Sequence, residues 1–178
     1  MDLSKDKINA TLVFLMRGER EKQEVLLAKK VRKLVVGCPN GFGGSMNKKE
    51  TPRKCAVREL QRESGFIALE KDLEFAGIMS FHNQREDFSE FTVKVYIFIL
   101  RVWRGRLKLK KDEMTGPRWY KADMASLPFR KMAPSDIFWL PLIFTGKKVV
   151  GQAWHGPDQK TLLRLPEIKV VKYLDDVD

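Results

Sequence analysis

The sequence predicts a mixed α/β layered domain, and three observations carry that expectation. Runs rich in β-branched and apolar residues are interspersed with helical stretches rather than segregated from them, the pattern of helices packed on a sheet. Apolar residues make up 43% of the 178 positions, enough for a sizeable core at this length. No internal repeat, low-complexity tract or long linker divides the chain, so residues 1–178 read as one domain.

Taken in order, Ile8 to Met16 reads as a strand, Gly18-Glu19-Arg20 as a turn, and Glu24 to Lys30 as a strand that pairs back. A glycine-rich loop, Gly37 to Gly44, leads into a polar segment and then a helix with clear ends. Thr51 is placed to cap it, Pro52 takes the first helical position, where its missing N–H costs nothing, and Gly65 supplies a left-handed stop. Leu73 to His82 and Phe91 to Trp103 read as longer strands, with Asn83 to Asp87 as a polar connection. Pro117 to Tyr120 suggests a short strand, Ala122 to Ser126 a helical turn, and Ser135 to Phe144 a helix bent or interrupted near Pro141. Val149 to Trp154, Thr161 to Leu165 and Ile168 to Tyr173 are expected to close the chain as strands.

Composition narrows the classes. Eleven Phe, four Trp and three Tyr among many Val, Leu and Ile argue against disorder. The longest apolar runs, Val95 to Leu100 and Ile137 to Phe144, fall well short of the ~20 residues a bilayer needs, so no membrane partner is expected. The charged start, Met1 to Lys7, has no apolar segment of a secretory leader. Cys38 and Cys55 form neither a disulfide framework nor a metal-ligand spacing, which suits a cytoplasmic or nuclear compartment. With 34 Lys and Arg against 23 Asp and Glu, the formal charge of +11 points to a polyanionic partner or simply to a well-solvated surface.

The helix after Thr51 carries the chemistry. At 100° per residue Cys55, Glu59, Arg62 and Glu63 share one face, and Ala56, Val57, Leu60 and Ser64 form an adjacent small, apolar one. Glu59 and Glu63 stand one turn apart, close enough to ligate one divalent ion. The glycines before the helix let backbone approach that ion and a phosphate chain. The same spacing also describes an ordinary amphipathic helix with a charged outer face.

Loop and helix together match a longer pattern. Gly44, five residues, Glu50, seven residues, then Arg58-Glu59-Leu60-Gln61-Arg62-Glu63-Ser64-Gly65-Phe66 resembles the Nudix box, Gly-x5-Glu-x7-Arg-Glu-apolar-x-Glu-Glu-x-Gly-apolar, over about residues 44–66. Arg62 is the one departure, a cation where the pattern has the first of two glutamates. Lys48-Lys49 also replace an acidic residue and a glycine common in the family. The resemblance implies an α/β/α sandwich around a mixed sheet, with Mg²⁺ or Mn²⁺ as cofactor. It implies Glu63 and Glu59 as catalytic metal ligands, Gly43 and Gly44 beside them, and a supporting Glu50–Arg58 pair. Carboxylates on a rigid helix suit an ion that must neutralise a pyrophosphate and acidify a water. Arg62 would repel a second or third ion, yet could bind a phosphate oxygen bidentately.

The likeness runs from about Thr11 to Val171 and is greatest to the animal MutT-type branch of the family, which acts on oxidised purine nucleoside triphosphates such as 8-oxo-dGTP. Asn40-Gly41-Phe42-Gly43-Gly44, Asp112-Glu113-Met114, Pro128-Phe129 and Pro134 to Leu142 carry it. By position, Thr11, Asn40, Phe42, Ser135, Asp136 and Trp139 would contact base or sugar, Lys30 the phosphates, and Glu113 the metal. Without the family match, Ser135 and Asp136 read as helix caps, Trp139 as core and Glu113 as one charge of an exposed run. Ala133 replaces a stacking tryptophan, Ser135 the first of two aspartates and Pro39 a tryptophan, and Ser80 and His82 fall about where phenylalanines stand.

The expected activity is hydrolysis of a purine nucleoside triphosphate to monophosphate and pyrophosphate by a monomer. Two alternatives stay open. The basic run Arg101 to Lys111, with Trp103 interleaved, could track RNA for 5′-end hydrolysis, or the enzyme could act on dinucleoside polyphosphates; alternation of Leu107 and Leu109 with lysines also fits the solvent face of a strand. Arg62 also motivates a non-catalytic nucleotide- or RNA-binding module.

Overall fold

The computed structural model describes residues 2 and 6–178. Strands β1 (Lys7–Arg17), β2 (Glu24–Lys30), β3 (Pro39–Asn40), β4 (Leu73–Gln84), β5 (Glu90–Leu100), β6 (Met114–Lys121), β7 (Lys148–His155) and β8 (Leu162–Val171) form one mixed sheet. Its order is β3-β2-β1-β5-β4-β7-β8, with β6 also paired to β2. The pairs β1/β5 and β4/β7 are parallel and the others antiparallel. Helix α1 (Pro52–Ser64) covers one face and α2 (Asp136–Phe144) the other, the expected α/β/α sandwich.

Period-two alternation divides the core. On β1, Val13 and Leu15 meet Ala56 and Leu60 of α1, whereas Phe14 and Met16 pack with Trp139, Leu140 and Ile143 of α2. Residues 13–16 of β1 and 97–100 of β5 are buried on both faces and read as unbroken apolar runs, whereas the first half of β5 alternates.

Helix α1 has the ends its sequence specifies. The Thr51 side chain accepts from the Lys54 N–H at 3.4 Å, Pro52 opens the first turn, and Gly65 stops it at φ 77° with its N–H on the Gln61 carbonyl. Thr51→Ala is expected to lower stability by about 1 kcal/mol, read as a lower urea midpoint at unchanged slope.

Several boundaries differ from expectation. The last two expected strands are one, β8, which carries Pro166 because β8 is a sheet edge where a missing N–H is tolerated. Pro141 lies inside α2 without interrupting it, and the turn at 124–126 is not helical; a 3₁₀ turn forms at Phe129–Lys131 instead. β6 begins earlier, at Met114. β4 continues through Asn83 and Gln84, whereas β5 ends at Leu100. The basic segment 101–113 is irregular backbone rather than a strand.

Candidate active site

Glu59 and Glu63 are not on a solvated face: they are 4% and 1% exposed. The glycine-rich loop folds over them because β1 holds it there, with the Thr11 N–H on the Gly44 carbonyl at 2.9 Å and Val13 and Phe42 exchanging backbone bonds. Backbone leaves room only for glycine at Gly43, and at Gly44 any side chain would displace the Glu59 carboxylate. A Cβ on Gly43 would come within 1.9 Å of the Thr11 carbonyl oxygen, and one on Gly44 within 2.7 Å of the Glu59 carboxyl carbon. This approach lets the Gly43 N–H donate to Glu63 Oε2 at 2.9 Å, while Lys30, at the end of β2, reaches Glu63 Oε1 at 3.3 Å. Burial pushes the Glu63 carboxyl above its ordinary range, against the Lys30 charge and the Gly43 bond.

Arg58 ties loop to helix. Its Nε and Nη2 meet the two oxygens of Glu50 at 2.7 and 2.8 Å, Nη2 donates to the Ser45 carbonyl at 3.1 Å, and Nη1 pairs with Glu59. That bidentate bond holds the Glu50 carboxyl below its usual range. Arg62 lies within the same basin, with Nε on Glu59 Oε2 at 2.8 Å and Nη1 on Glu113. Glu113, 3% exposed, also receives Lys110 at 2.9 Å and Arg32. Burial alone would raise it, but the Arg62, Lys110 and Arg32 donors outweigh burial and hold it well below the carboxylate range. Thus one residue of the basic run, Lys110, belongs to this site: the segment turns along the end of α1, with Lys108 and Lys110 N–H groups on the Ser64 and Glu63 carbonyls. Lys48 and Lys49 do not line the basin.

Beside it opens an apolar cavity of about 130 Å³, roughly ten times what a water requires. Lys30, Leu34, Gly43 and Gly44 line both spaces, so the two adjoin. Thr11, Asn40, Asp136 and Trp139 line the cavity as expected. Ser135, expected at the base or sugar, does not line the cavity: it is fully buried, makes no side-chain cap bond to α2, and turns its Oγ to His155 Nε2 at 3.1 Å. Asp136 is buried, and desolvation pushes its carboxyl up to about 7. Trp139 Nε1 is buried beside the Asp136 carboxyl without a hydrogen bond of ordinary geometry.

Two further expectations are corrected here. Phe42 cannot touch a ligand in the cavity, since it is fully buried beneath α1 with Val13 and Leu60; the alternation along the loop sends it to the other face. On β4, Phe81 and Asn83 line the cavity rather than Ser80 and His82. His82 sits on the opposite face, bonded to Thr92 and Gln152. Ending β4 at His82 hid Asn83 in an expected loop, although period two counted from Phe81 would have found it. His155 and Gln159 carried no sequence signal, because they reach the cavity only through the pairing of β4 with β7 and the turn after it.

A mixed sheet between two helices, with a glycine loop folded over paired glutamates, defines a Nudix-type site, and the chain belongs to the Nudix family: the NUDIX domain model matches residues 6–142. Mouse oxidized purine nucleoside triphosphate hydrolase is 34% identical over 153 residues, 86% of this chain and 89% of that protein. The zebrafish (Danio rerio) protein of the same name is 34% identical over 160 residues, 89% and 94% of the two chains. Among solved structures, a mutator MutT protein from Bacillus halodurans superposes with a TM-score of 0.69 at 22% identity, covering 90% of this chain and 97% of that one, a likeness of fold.

Nudix hydrolases use divalent metal ions, and the donor set can be compared with that need. Glu59 and Glu63 supply hard oxygens on adjacent turns of one helix, which fits one such ion. Among the described residues no three His, Cys, Asp or Glu side chains come together to enclose an ion, and Glu113 faces cations instead.

Proposed function

We propose that the protein is a metal-dependent nucleoside triphosphate pyrophosphohydrolase acting on purine nucleotides, with oxidised purines such as 8-oxo-dGTP as its substrates and Mg²⁺ or Mn²⁺ as its cofactor. The adjacency of the two spaces carries this reading: a base-sized apolar cavity with buried polar groups shares Lys30, Gly43 and Gly44 with a basin of carboxylates and cations. The names of the mouse and zebrafish relatives support it.

The base enters the cavity, where Trp139 and Phe81 offer ring surface and Asp136, Asn40 and Asn83 offer hydrogen bonds to a purine edge that mixes donors and acceptors. The triphosphate passes Lys30 into the basin, where Lys30, Arg32, Arg58, Arg62 and Lys110 set a positive field. A divalent ion held by Glu59 and Glu63 would neutralise phosphate charge and acidify a water. Glu63, whose Oε2 is held by the Gly43 N–H, is placed to take a proton from the attacking water. The water oxygen bonds to one phosphorus of the α–β link while the bridging oxygen departs with the other, giving a monophosphate and pyrophosphate. Gly43 fixes the Glu63 carboxylate, and Glu50 with Arg58 fixes Glu59.

Product identification after incubating 8-oxo-dGTP with the protein and Mg²⁺ is the direct test. Monophosphate and pyrophosphate in equal amounts, abolished by a chelator, are expected; release of orthophosphate, or no metal-dependent turnover, contradicts the reading.

A further inference from the structure

Arg62 is the one defined position of the Nudix box at which the chain departs, and the fold places it at the centre of the carboxylates. Its Nε donates to Glu59 Oε2 at 2.8 Å, its Nη2 reaches the same oxygen and lies 3.9 Å from Glu63 Oε1, and its Nη1 donates to Glu113 Oε1. One planar guanidinium therefore bridges a carboxylate from α1 and one from the segment entering β6, within ion-pair range of a third. It is held from both sides, with a side chain 32% exposed against 6%, 1% and 4% for the three glutamates. Glu113 has two further cations on the oxygen that Arg62 uses.

We propose that Arg62 is a resident cation standing where Glu59, Glu113 and an acidic residue at position 62 would otherwise gather an additional divalent ion. The protein binds a single ion, at Glu59 and Glu63, and Arg62 supplies from the chain the positive charge that a further ion would bring to the phosphates. Glu113 anchors Arg62 and is not a metal ligand in the native chain. A guanidinium suits this place because its fork meets carboxylates on one edge and can turn a remaining N–H to a phosphate oxygen. A lysine offers the charge without the fork.

This proposal rests on the reading of the basin as a metal and phosphate site, and counting bound ions separates the failure of one from the failure of the other. Mn²⁺ would be titrated into nucleotide-free protein and free Mn²⁺ read by its paramagnetic resonance, for the native chain, Arg62→Lys, Arg62→Gln and Arg62→Glu. One ion per chain is expected for the native protein and Arg62→Lys, and two for Arg62→Gln and Arg62→Glu. Arg62→Gln serves where four neighbouring glutamates unfold the Arg62→Glu chain, a point checked by circular dichroism. Two or more ions on the native chain, or an unchanged count in folded Arg62→Gln, overturns this proposal alone. No Mn²⁺ binding by any variant overturns the metal-dependent reading and this proposal with it.

Discussion

Glu63→Gln is expected to lower kcat by roughly 10²–10⁴-fold, the range general-base removal produces, with the fold intact. The carboxylate is 1% exposed and takes the Gly43 N–H on one oxygen and Lys30 on the other. A glutamine keeps the size and can still accept from Gly43. It cannot accept a proton from water, and it offers a metal ion a neutral ligand. Stability should fall little, because the change also removes a charge whose burial is unfavourable. Undiminished turnover in a folded Glu63→Gln protein would remove Glu63 from the mechanism.

Asp136→Ala is expected to reduce kcat/KM for a purine triphosphate by roughly 10–100-fold, about 1–3 kcal/mol for one buried hydrogen bond left unmade, with most of the loss in KM. The reason is distance from the chemistry: Asp136 lines the apolar cavity and does not line the carboxylate basin. The same residue gives stability a pH dependence. Its folded pKa is raised to about 7 from an ordinary 3.8, so the folded state holds a proton that the unfolded chain releases. Its contribution is present in full below about 3.8 and is lost as pH rises through about 7. Asp136→Asn removes that dependence, so its melting temperature relative to the native protein should rise between pH 5 and pH 8. An identical pH trend in both proteins would place the Asp136 pKa in its ordinary range.

How far the sequence could be read depended on whether a signal was local. The ends of α1 were legible because Thr51, Pro52 and Gly65 act on their own turn, and β1 and the end of β5 because burial on both faces leaves unbroken apolar runs at 13–16 and 97–100. The box was legible as spacing, and the fold gives that spacing its geometry: Gly43 and Gly44 lie against Thr11 and Glu59, and Glu50 meets Arg58. Of the partners of Arg62, Glu59 and Glu63 were legible on its own helix face, and Glu113 only through the family resemblance. Glu113 lies 51 residues away and is carried to α1 by an irregular segment whose alternation of leucine and lysine mimics a strand. Cavity groups divided on the same line. Asp136 and Trp139 came with the family pattern, whereas Asn83 was lost by ending β4 two residues early, and His155 depended on sheet pairing that no local spacing records.

The central claim, that the cavity and basin together receive a purine nucleoside triphosphate, is tested most directly by a competition among substrates. 8-oxo-dGTP, dGTP, a dinucleoside tetraphosphate and a 5′-triphosphorylated RNA would be given to the purified protein with Mg²⁺, and kcat/KM compared at one ionic strength. The account predicts the highest value for 8-oxo-dGTP, with monophosphate and pyrophosphate as products. Preferred turnover of the RNA or of the dinucleoside polyphosphate, or binding of all four without turnover, would contradict it.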